Sequence, residues 1–286
     1  MQELQRKPDW LKKRFSLERQ RPMKTNLRDL NLHSVCEEAR CPNISECFSK
    51  GVATVMIMGD VCTRTCKFCA VKSGRPPALD PGEPEHVAEW AKVHALRHIV
   101  ITSVDRDDLP DLGATHFAKV INHVHATCPE STIEVLTPDF QGRTSCIDQV
   151  CNEAIKVFNH NLETTRRLTA SVRSASNYDR SLRVIQHVKT AYPQLLTKSG
   201  LMLGLGETKD EVIAAMQDLV NHGCDLLTLG QYLQPSQDHL PVVEYIPPAI
   251  FDELKAIGER IGFRAVFAGP FVRSSYLADE LLEALA

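Results

Sequence analysis

The chain of 286 residues is predicted to adopt an α/β fold, a partial parallel (β/α)6-type TIM barrel with N-terminal and C-terminal extensions. From position 52 onward, short apolar runs rich in β-branched residues alternate with helical patterns that have one apolar face. Most of the short runs are continuously apolar, as expected for parallel strands that are covered on both faces. Repeated β–α units with short connections favour a barrel, and a doubly wound sheet is the alternative.

The elements follow one another in a regular order. The predicted strands lie at 52–59, 98–104, 132–137, 157–161, 199–205, 226–231 and 264–268. The predicted helices lie near 84–96, 114–127, 145–155, 176–191, 209–222 and 248–261, and Thr208 with Glu211 predicts a capping box at one of them. Because the first 51 residues do not follow this rhythm, the predicted organisation is an N-terminal extension (1–51), a barrel (52–270) and a C-terminal segment (271–286).

Composition and charge exclude several classes of protein. A formal net charge of -3 gives no electrostatic case for binding nucleic acid. No apolar run approaches the roughly 20 residues that a membrane-spanning helix needs. The N-terminus lacks the apolar core of a signal peptide, so we expect a cytoplasmic protein that does not act at a membrane.

Ten cysteines are many for a chain of this kind, and their distribution is uneven. Six of them fall between positions 36 and 69. The other four, Cys128, Cys146, Cys151 and Cys224, are scattered through helix-like segments and are interpreted as small buried apolar residues. The clustered six therefore become the main indication of function.

Three of the clustered cysteines form a C-x3-C-x2-C motif directly after the first predicted strand: Cys62, Cys66 and Cys69. Three thiolates on a short loop can bind three corners of an iron–sulfur cubane and leave the fourth iron open. A structural zinc site is the alternative, although it prefers four protein ligands. With its position after the first strand of a barrel, this motif resembles the radical S-adenosylmethionine superfamily, in which S-adenosylmethionine chelates the open iron.

Polar residues at the carboxyl ends of later strands fit that resemblance, since barrel chemistry occurs at this rim. Asn161 and Glu163 are candidates for binding ribose hydroxyls, Arg173 for pairing with the cofactor carboxylate, and Ser103 for a further cofactor contact. The alternatives are a polar strand end for Asn161 and Glu163 and a solvated loop charge for Arg173. The glycine-rich turn at 204–207 would also allow a ligand to approach the backbone closely.

A second set of cysteines, Cys36, Cys41 and Cys47, has the spacing C-x4-C-x5-C within the N-terminal extension. Chance clustering or a structural zinc would be the simplest accounts of it. Near the other end of the chain lies Arg-Ser-Ser-Tyr at 273–276. These two features and C-x3-C-x2-C, in this order, closely resemble lipoyl synthase, as do the stretches at 7–11, 197–202 and 228–235.

The resemblance implies that Cys36, Cys41, Cys47 and a serine of the Arg-Ser-Ser-Tyr segment hold an auxiliary [4Fe-4S] cluster, which is consumed as the sulfur source. Ser275 is the favoured ligand and Ser274 the fallback. An alkoxide is a harder ligand than a thiolate and should form the weakest corner. The implied catalytic groups are therefore Ser275 and, at the radical-generating [4Fe-4S] cluster, Cys62, Cys66 and Cys69.

The resemblance also implies a reaction and its partners. A 5′-deoxyadenosyl radical abstracts hydrogen from an octanoyl chain linked to a lysine, and sulfur enters at C6 and then at C8. The implied partners are octanoylated lipoyl carrier domains, namely the E2 subunits of 2-oxoacid dehydrogenases and the glycine cleavage H protein, and a reductant such as ferredoxin or flavodoxin. Another sulfur-inserting radical enzyme similar to biotin synthase, a zinc-stabilised binding module and an inactive paralogue are the alternatives.

Overall fold

An eight-stranded sheet lies at the centre of the computed structural model, which describes residues 7–12, 21–38, 41–276 and 278. Its strands are β1 (His33–Ser34), β2 (Val52–Ile57), β5 (His98–Ser103), β6 (Thr132–Leu136), β7 (Val157–Asn159), β8 (Leu196–Leu203), β9 (Leu226–Gln231) and β10 (Ala265–Gly269). Two short strands, β3 (Val61–Cys62) and β4 (Lys72–Ser73), pair with each other separately.

The helices of the described residues occupy most of the connections. They are α1 (Arg21–Asp29), α2 (Val35–Glu38), α3 (Ile44–Ser49), α4 (Glu83–Val93), α5 (Ala114–Thr127), α6 (Thr144–Cys151), α7 (Thr169–Val172), α8 (Tyr178–Ala191), α9 (Lys209–Asn221) and α10 (Pro248–Ile261). Single 3-10 turns lie at Asp9–Leu11 and Phe140–Gly142. The predicted capping box at the start of α9 is present, with both of its hydrogen bonds formed.

From β2 to β10 the seven long strands run parallel and neighbour one another in chain order. In the described residues a helix follows each of these strands up to β9, and its buried face covers the sheet, as Trp90 of α4 and Phe117 of α5 show. All seven predicted strands and the six predicted helices are confirmed. The sheet stays open, because the antiparallel strand β1 pairs with the free edge of β2 and the described residues pair β10 only with β9.

Register brings the carboxyl ends of the parallel strands to one rim. Ile57 at the end of β2 lies opposite Ser103 at the end of β5, and Leu136 at the end of β6 lies opposite Asn159 at the end of β7. Leu203 of β8 lies opposite Gln231 of β9 in the same way. The segments that follow these strands therefore share the edge where the sequence predicts chemistry.

Three of the four scattered cysteines, Cys146, Cys151 and Cys224, are buried as predicted. The prediction is wrong in two details, because Cys128 is only half-buried at the end of α5 and Cys224 lies in the turn before β9, outside any helix. No disulfide joins any of the ten cysteines, all of which lie in the described residues. Within the same residues, no helix is both long and apolar enough to cross a bilayer.

Candidate iron–sulfur and cofactor site

The chain turns sharply where it leaves β2 to form the loop of the first cysteine set. Met58 and Gly59 both have positive φ, at 68° and 89°. The Glu83 carboxylate of α4 accepts hydrogen bonds from the backbone N–H of Met58 at 3.0 and 2.8 Å, and His116 of α5 lies 2.5 Å from the same carboxylate. A left-handed methionine is costly unless its surroundings hold it there, and this buried pair does so.

Cys62, Cys66 and Cys69 come together on this loop. The Sγ of Cys62 accepts from the backbone N–H groups of Arg64 at 3.4 Å and Asp105 at 3.3 Å. Burial raises the pKa of the Cys66 thiol to about 11 and that of Cys69 to about 12, and the nearby Cys66 and Cys62 contribute to the rise at Cys69. Three neighbouring thiols that resist ionisation need a nearby cation to become thiolates, and an iron–sulfur cluster would supply that charge.

A buried arginine inside the motif organises the carboxylates around this loop. The Arg64 guanidinium donates to Asp107 at 2.7 and 2.8 Å and to Asp139 at 2.9 Å. Burial alone would raise the pKa of Asp139, but Arg64 lowers it to about 2. Burial raises the pKa of Asp105, which also contacts Arg64, to about 6. Arg64, Asp107 and Asp139 were not identified from the sequence, although Arg64 within the motif and the acidic run after β5 were a usable signal.

The four predicted cofactor contacts lie at the same rim. Asn161 donates through Nδ2 to Glu163 Oε1 at 3.0 Å, and burial raises the pKa of Glu163. Arg173 is only 8% exposed and donates to the carbonyl of Leu162 at 3.2 Å, so its interpretation as a solvated loop charge is wrong. Ser103 closes β5.

Several buried polar atoms at this rim have no hydrogen-bond partner among the described residues. They include Ser103 Oγ after β5, Thr137 Oγ1 after β6, and Asn159 Oδ1 and Asn161 Oδ1 around the end of β7. An unsatisfied buried polar group costs about 1–3 kcal/mol, so such atoms are suited to a polar ligand. The donors and acceptors of a nucleoside such as S-adenosylmethionine fit this requirement, and Thr137 joins the candidates that the sequence identified.

Arg173 is held by a hydrogen-bonded chain that sequence reasoning missed. Its Nη1 donates to Ser181 Oγ at 3.0 Å, and Ser181 lies 3.0 Å from His160 Nε2. Because His160 Nδ1 faces the carbonyl of Thr137 at 2.9 Å, the neutral ring donates there and accepts from Ser181. The guanidinium is thereby fixed in direction at the rim.

The second cysteine set lines a small cavity between the N-terminal and C-terminal segments. Its walls include Cys36, Cys41, Cys47, Asn43, Thr54, Arg273, Ser275 and Tyr276. Burial raises the pKa of the Cys36 thiol to about 12, and the neighbouring Cys41 and Cys47 raise it as well. As at the first set, three neighbouring thiols, two of them buried, fit a cationic iron–sulfur group.

The two adjacent serines of the C-terminal segment point to different sites. Ser275 lines the cavity of the second cysteine set, and its Oγ accepts from Thr54 Oγ1 of β2 at 2.7 Å. Ser274 Oγ accepts from Asn161 Nδ2 at 2.6 Å and so belongs to the cofactor group. The segment is anchored where Asn43 donates to the carbonyl of Phe271 at 2.6 Å and Tyr276 donates to Glu46 at 3.2 Å.

Two further observations limit what the rim can bind. The glycine-rich turn is explained by packing, because a Cβ on Gly204 would lie 2.3 Å from Gln231 Nε2 and its N–H already donates to Glu207. Among the described residues, no group of three or more His, Cys, Asp or Glu side chains has an arrangement that could hold a metal ion. In a cubane each thiolate binds a different iron, so the thiolates surround the cluster and do not converge on one ion.

Comparison with known proteins decides between the alternatives. The model of the radical SAM superfamily matches residues 56–219, and that of the N-terminal domain of lipoyl synthase matches residues 1–41. The chain is 53% identical over 277 residues to the lipoyl synthase of Methylococcus capsulatus, covering 96% of this chain and 86% of that one. The chain belongs to the lipoyl synthase family.

Other lipoyl synthases agree. The enzyme of Thioalkalivibrio sulfidiphilus is 56% identical over 278 residues (96% of this chain, 87% of that one), and that of Thermus thermophilus is 51% identical over 278 residues (96% and 86%). As a lipoyl synthase, the chain is a radical S-adenosylmethionine sulfurtransferase whose cofactors are S-adenosylmethionine and two [4Fe-4S] clusters. The predicted family, enzyme class and cofactors are confirmed, which excludes the zinc-stabilised binding module.

Solved structures confirm the fold of this lipoyl synthase. The FeFe-hydrogenase maturase of Carboxydothermus hydrogenoformans superposes with a TM-score of 0.59 at 13% identity, covering 92% of this chain and 68% of that one. Methylornithine synthase superposes with a TM-score of 0.55 at 12% identity, covering 90% and 86%. At these identities the likeness concerns the arrangement of strands and helices alone.

Proposed function

We propose that this enzyme inserts two sulfur atoms, at C6 and C8, into an octanoyl chain carried on a lysine of a lipoyl carrier domain. The single observation that supports this function best is that two adjacent serines of one C-terminal segment reach different sites, one beside each cysteine set. Ser275 faces the cavity of the second set, while Ser274 contacts the cofactor group of the first.

Cys62, Cys66 and Cys69 are proposed to hold the radical-generating cluster. Asn161, Glu163, Arg173 and Ser103 bind S-adenosylmethionine beside it. When bound, the first cluster supplies the electron that cleaves the sulfonium, and the second supplies sulfide. The chain's own residues orient these groups: Arg173 faces the carboxylate of the ligand, and Asn161 presents an unpartnered Oδ1 to its hydroxyls.

Cys36, Cys41, Cys47 and Ser275 are proposed to hold the auxiliary cluster. A serine oxygen would be the weakest of the four ligands for an iron–sulfur centre, so Ser275 would be the ligand most easily released from a bound cluster. The hydroxyl of Thr54, 2.7 Å away, donates to Ser275 Oγ and stabilises negative charge on that oxygen.

The boundaries of the functional segments are part of the proposal. Residues 1–51 carry the auxiliary-cluster cysteines, 52–270 form the barrel, and 271–286 supply the Arg-Ser-Ser-Tyr segment. Family models that end at residue 41 and begin at residue 56 support the first boundary, and β1, which pairs with β2, joins the extension to the barrel.

The substrates are octanoylated lipoyl domains of 2-oxoacid dehydrogenase E2 subunits and the glycine cleavage H protein, and a ferredoxin or flavodoxin serves as reductant. An unactivated methylene has no acidic proton, so a radical is needed to open its C–H bond. Thiol-ligated clusters and the absence of disulfides among the ten described cysteines support a reducing, cytoplasmic location.

The variant Ser275→Ala tests the assignment of the auxiliary ligand. We expect lipoyl product to be lost while 5′-deoxyadenosine still forms at saturating S-adenosylmethionine, because Cys62, Cys66 and Cys69 are unchanged. Both products are measured by mass spectrometry after anaerobic turnover with an octanoyl carrier domain. Ser145→Ala, which removes an exposed hydroxyl from α6, is the matched control. Undiminished lipoyl yield from Ser275→Ala would remove Ser275 from the reaction.

The variant Cys66→Ala tests the first cluster. Without the thiolate of Cys66 the first cluster keeps only two of its three protein ligands. We therefore expect cleavage of S-adenosylmethionine to stop altogether while iron bound at the second set remains. The measurements are 5′-deoxyadenosine formation and iron content. Persistent 5′-deoxyadenosine would contradict the assignment.

A further inference from the structure

We infer that Ser274 is a positioning residue that couples the cofactor site to the cavity of the second cysteine set. The inference rests on the proposed function, because it takes Asn161 as a cofactor contact and Ser275 as a cluster ligand. Ser274 itself contacts neither group.

The amide of Asn161 is oriented by two acceptors. Its Nδ2 donates to Glu163 Oε1 at 3.0 Å and to Ser274 Oγ at 2.6 Å, which uses both amide hydrogens. This arrangement leaves Oδ1, which has no partner among the described residues, as the acceptor available to a ligand hydroxyl. Without the hydroxyl of Ser274, one amide hydrogen loses its acceptor and the orientation of Oδ1 is less well determined.

The close approach of these groups depends on a glycine in β8. A Cβ on Gly200 would lie 2.9 Å from Asn161 Oδ1, 3.2 Å from Ser274 Oγ and 2.7 Å from Thr228 Oγ1. Any larger residue at this position would push the asparagine and the serine apart. The glycine in β8 therefore provides the space in which Asn161 of the barrel contacts Ser274 of the C-terminal segment.

Adjacent serines transmit a change at one site to the other. Ser275 is held by Thr54 of β2 on the side of the cysteine cavity, and one peptide bond separates it from Ser274. A backbone shift that accompanies ligation or release of Ser275 therefore moves Ser274 Oγ relative to Asn161. Because coupling between two sites is reciprocal, S-adenosylmethionine affinity must then depend on whether the auxiliary cluster is intact.

This coupling has a consequence for turnover. An enzyme whose auxiliary cluster has been consumed binds S-adenosylmethionine more weakly. It therefore cleaves less S-adenosylmethionine in turnovers that yield no lipoyl product. Ser274 thus links cofactor binding to the presence of a sulfur donor.

Equilibrium binding of S-adenosylmethionine to anaerobic holoenzyme tests the inference without relying on activity. Four proteins are compared: wild type, Ser274→Ala, the triple variant of Cys36, Cys41 and Cys47 to alanine, and the combination of all four substitutions. We expect Kd to rise about fivefold or more in Ser274→Ala and in the triple variant. In the combination we expect Kd to match the triple variant within about twofold, because the coupling has already been removed.

Ser274→Thr keeps the hydroxyl and should restore the wild-type Kd, which separates hydrogen bonding from general damage to the fold. Ser145→Ala again serves as the remote control. An unchanged Kd in Ser274→Ala, or independent losses that multiply in the combination, would overturn the coupling. The proposed function fails separately, if wild-type enzyme makes no lipoyl product from octanoyl carrier whatever its affinity for S-adenosylmethionine.

Discussion

Single buried polar residues set the chemistry of the rim. His160 lies between the carbonyl of Thr137 and the hydroxyl of Ser181, and through Ser181 it fixes Arg173. Burial, together with the positive charge of Arg173, lowers the pKa of His160 to about 4. The neutral ring is the one that can accept from Ser181, so protonation would break the chain that orients Arg173.

The depressed pKa of His160 predicts a defined loss of stability in acid. The ordinary pKa of histidine is 6.5, so below that pH His160 binds a proton in the unfolded chain. In the folded chain it binds that proton only below about pH 4. Stability therefore falls as the pH falls from about 6.5 to about 4. Between about pH 7 and pH 5 the free energy of unfolding should drop by about 2 kcal/mol more in wild type than in His160→Gln. Urea unfolding at both pH values measures it, and equal losses in the two proteins would contradict the assignment.

Pairs of elements hold the loops in place. Glu83 on α4 and His116 on α5 together fix Met58, from which the loop of the first cysteine set departs. Gly113 precedes α5 with a φ of 87°, and a Cβ there would lie 2.5 Å from Met58 Sδ. Residues of α4 and α5 therefore hold the strained turn after β2 in place. Substitutions that break these contacts should also disturb binding of the first cluster.

Substitution of Glu83 is expected to lower both the stability of the fold and the iron content of the first cluster. Glu83→Ala leaves the N–H of Met58 and the ring of His116 without their acceptor, so we expect the free energy of unfolding to fall by about 2–4 kcal/mol. Glu83→Gln keeps an acceptor oxygen and should cost less, and Glu85→Ala on the exposed side of α4 should cost almost nothing. Denaturant unfolding and iron content measure both effects. A Glu83→Ala protein as stable as Glu85→Ala would refute the role.

How far the sequence could predict this site depends on the range of each interaction. Continuous apolar runs identify the strands, and the spacing of Cys62, Cys66 and Cys69 identifies a cluster loop, because both patterns are local. The contact between Asn161 and Ser274 joins residues 113 positions apart, and that between Arg64 and Asp139 spans 75. Neither leaves a periodic pattern, so the different directions of Ser274 and Ser275 emerge only once the chain is folded.

Across the whole molecule, a buried ion pair joins distant strands of the sheet. Lys198 of β8 donates to Glu134 of β6 at 2.9 and 3.1 Å across the intervening β7, which contributes Asn159 at 2.9 Å from the same carboxylate. Burial alone would raise the pKa of Glu134, but Lys198 and His98 hold it below its ordinary value. The charges therefore depend on each other, and with Asn159 they link three neighbouring strands, β6, β7 and β8.

Removing only the lysine of this ion pair is expected to lower the free energy of unfolding strongly. Lys198→Met leaves an uncompensated charge at Glu134, and we expect a loss of about 3–5 kcal/mol in the free energy of unfolding. Replacing Glu134 by leucine in the same protein removes that charge and should recover most of the loss. A double-mutant cycle by urea unfolding measures the coupling. Additive losses would show that the two side chains do not stabilise each other.

The proposed reaction needs two cubanes, one that starts the radical chemistry and one that gives up its sulfide. Enzyme reconstituted with isotopically heavy sulfide, then freed of excess and given octanoyl carrier and S-adenosylmethionine for a single turnover, tests this directly by mass spectrometry of the carrier. We expect both sulfur atoms of the lipoyl product to be heavy and Ser275→Ala to yield no lipoyl product. Light sulfur in the product, or fully loaded protein that holds only one cubane, would contradict it.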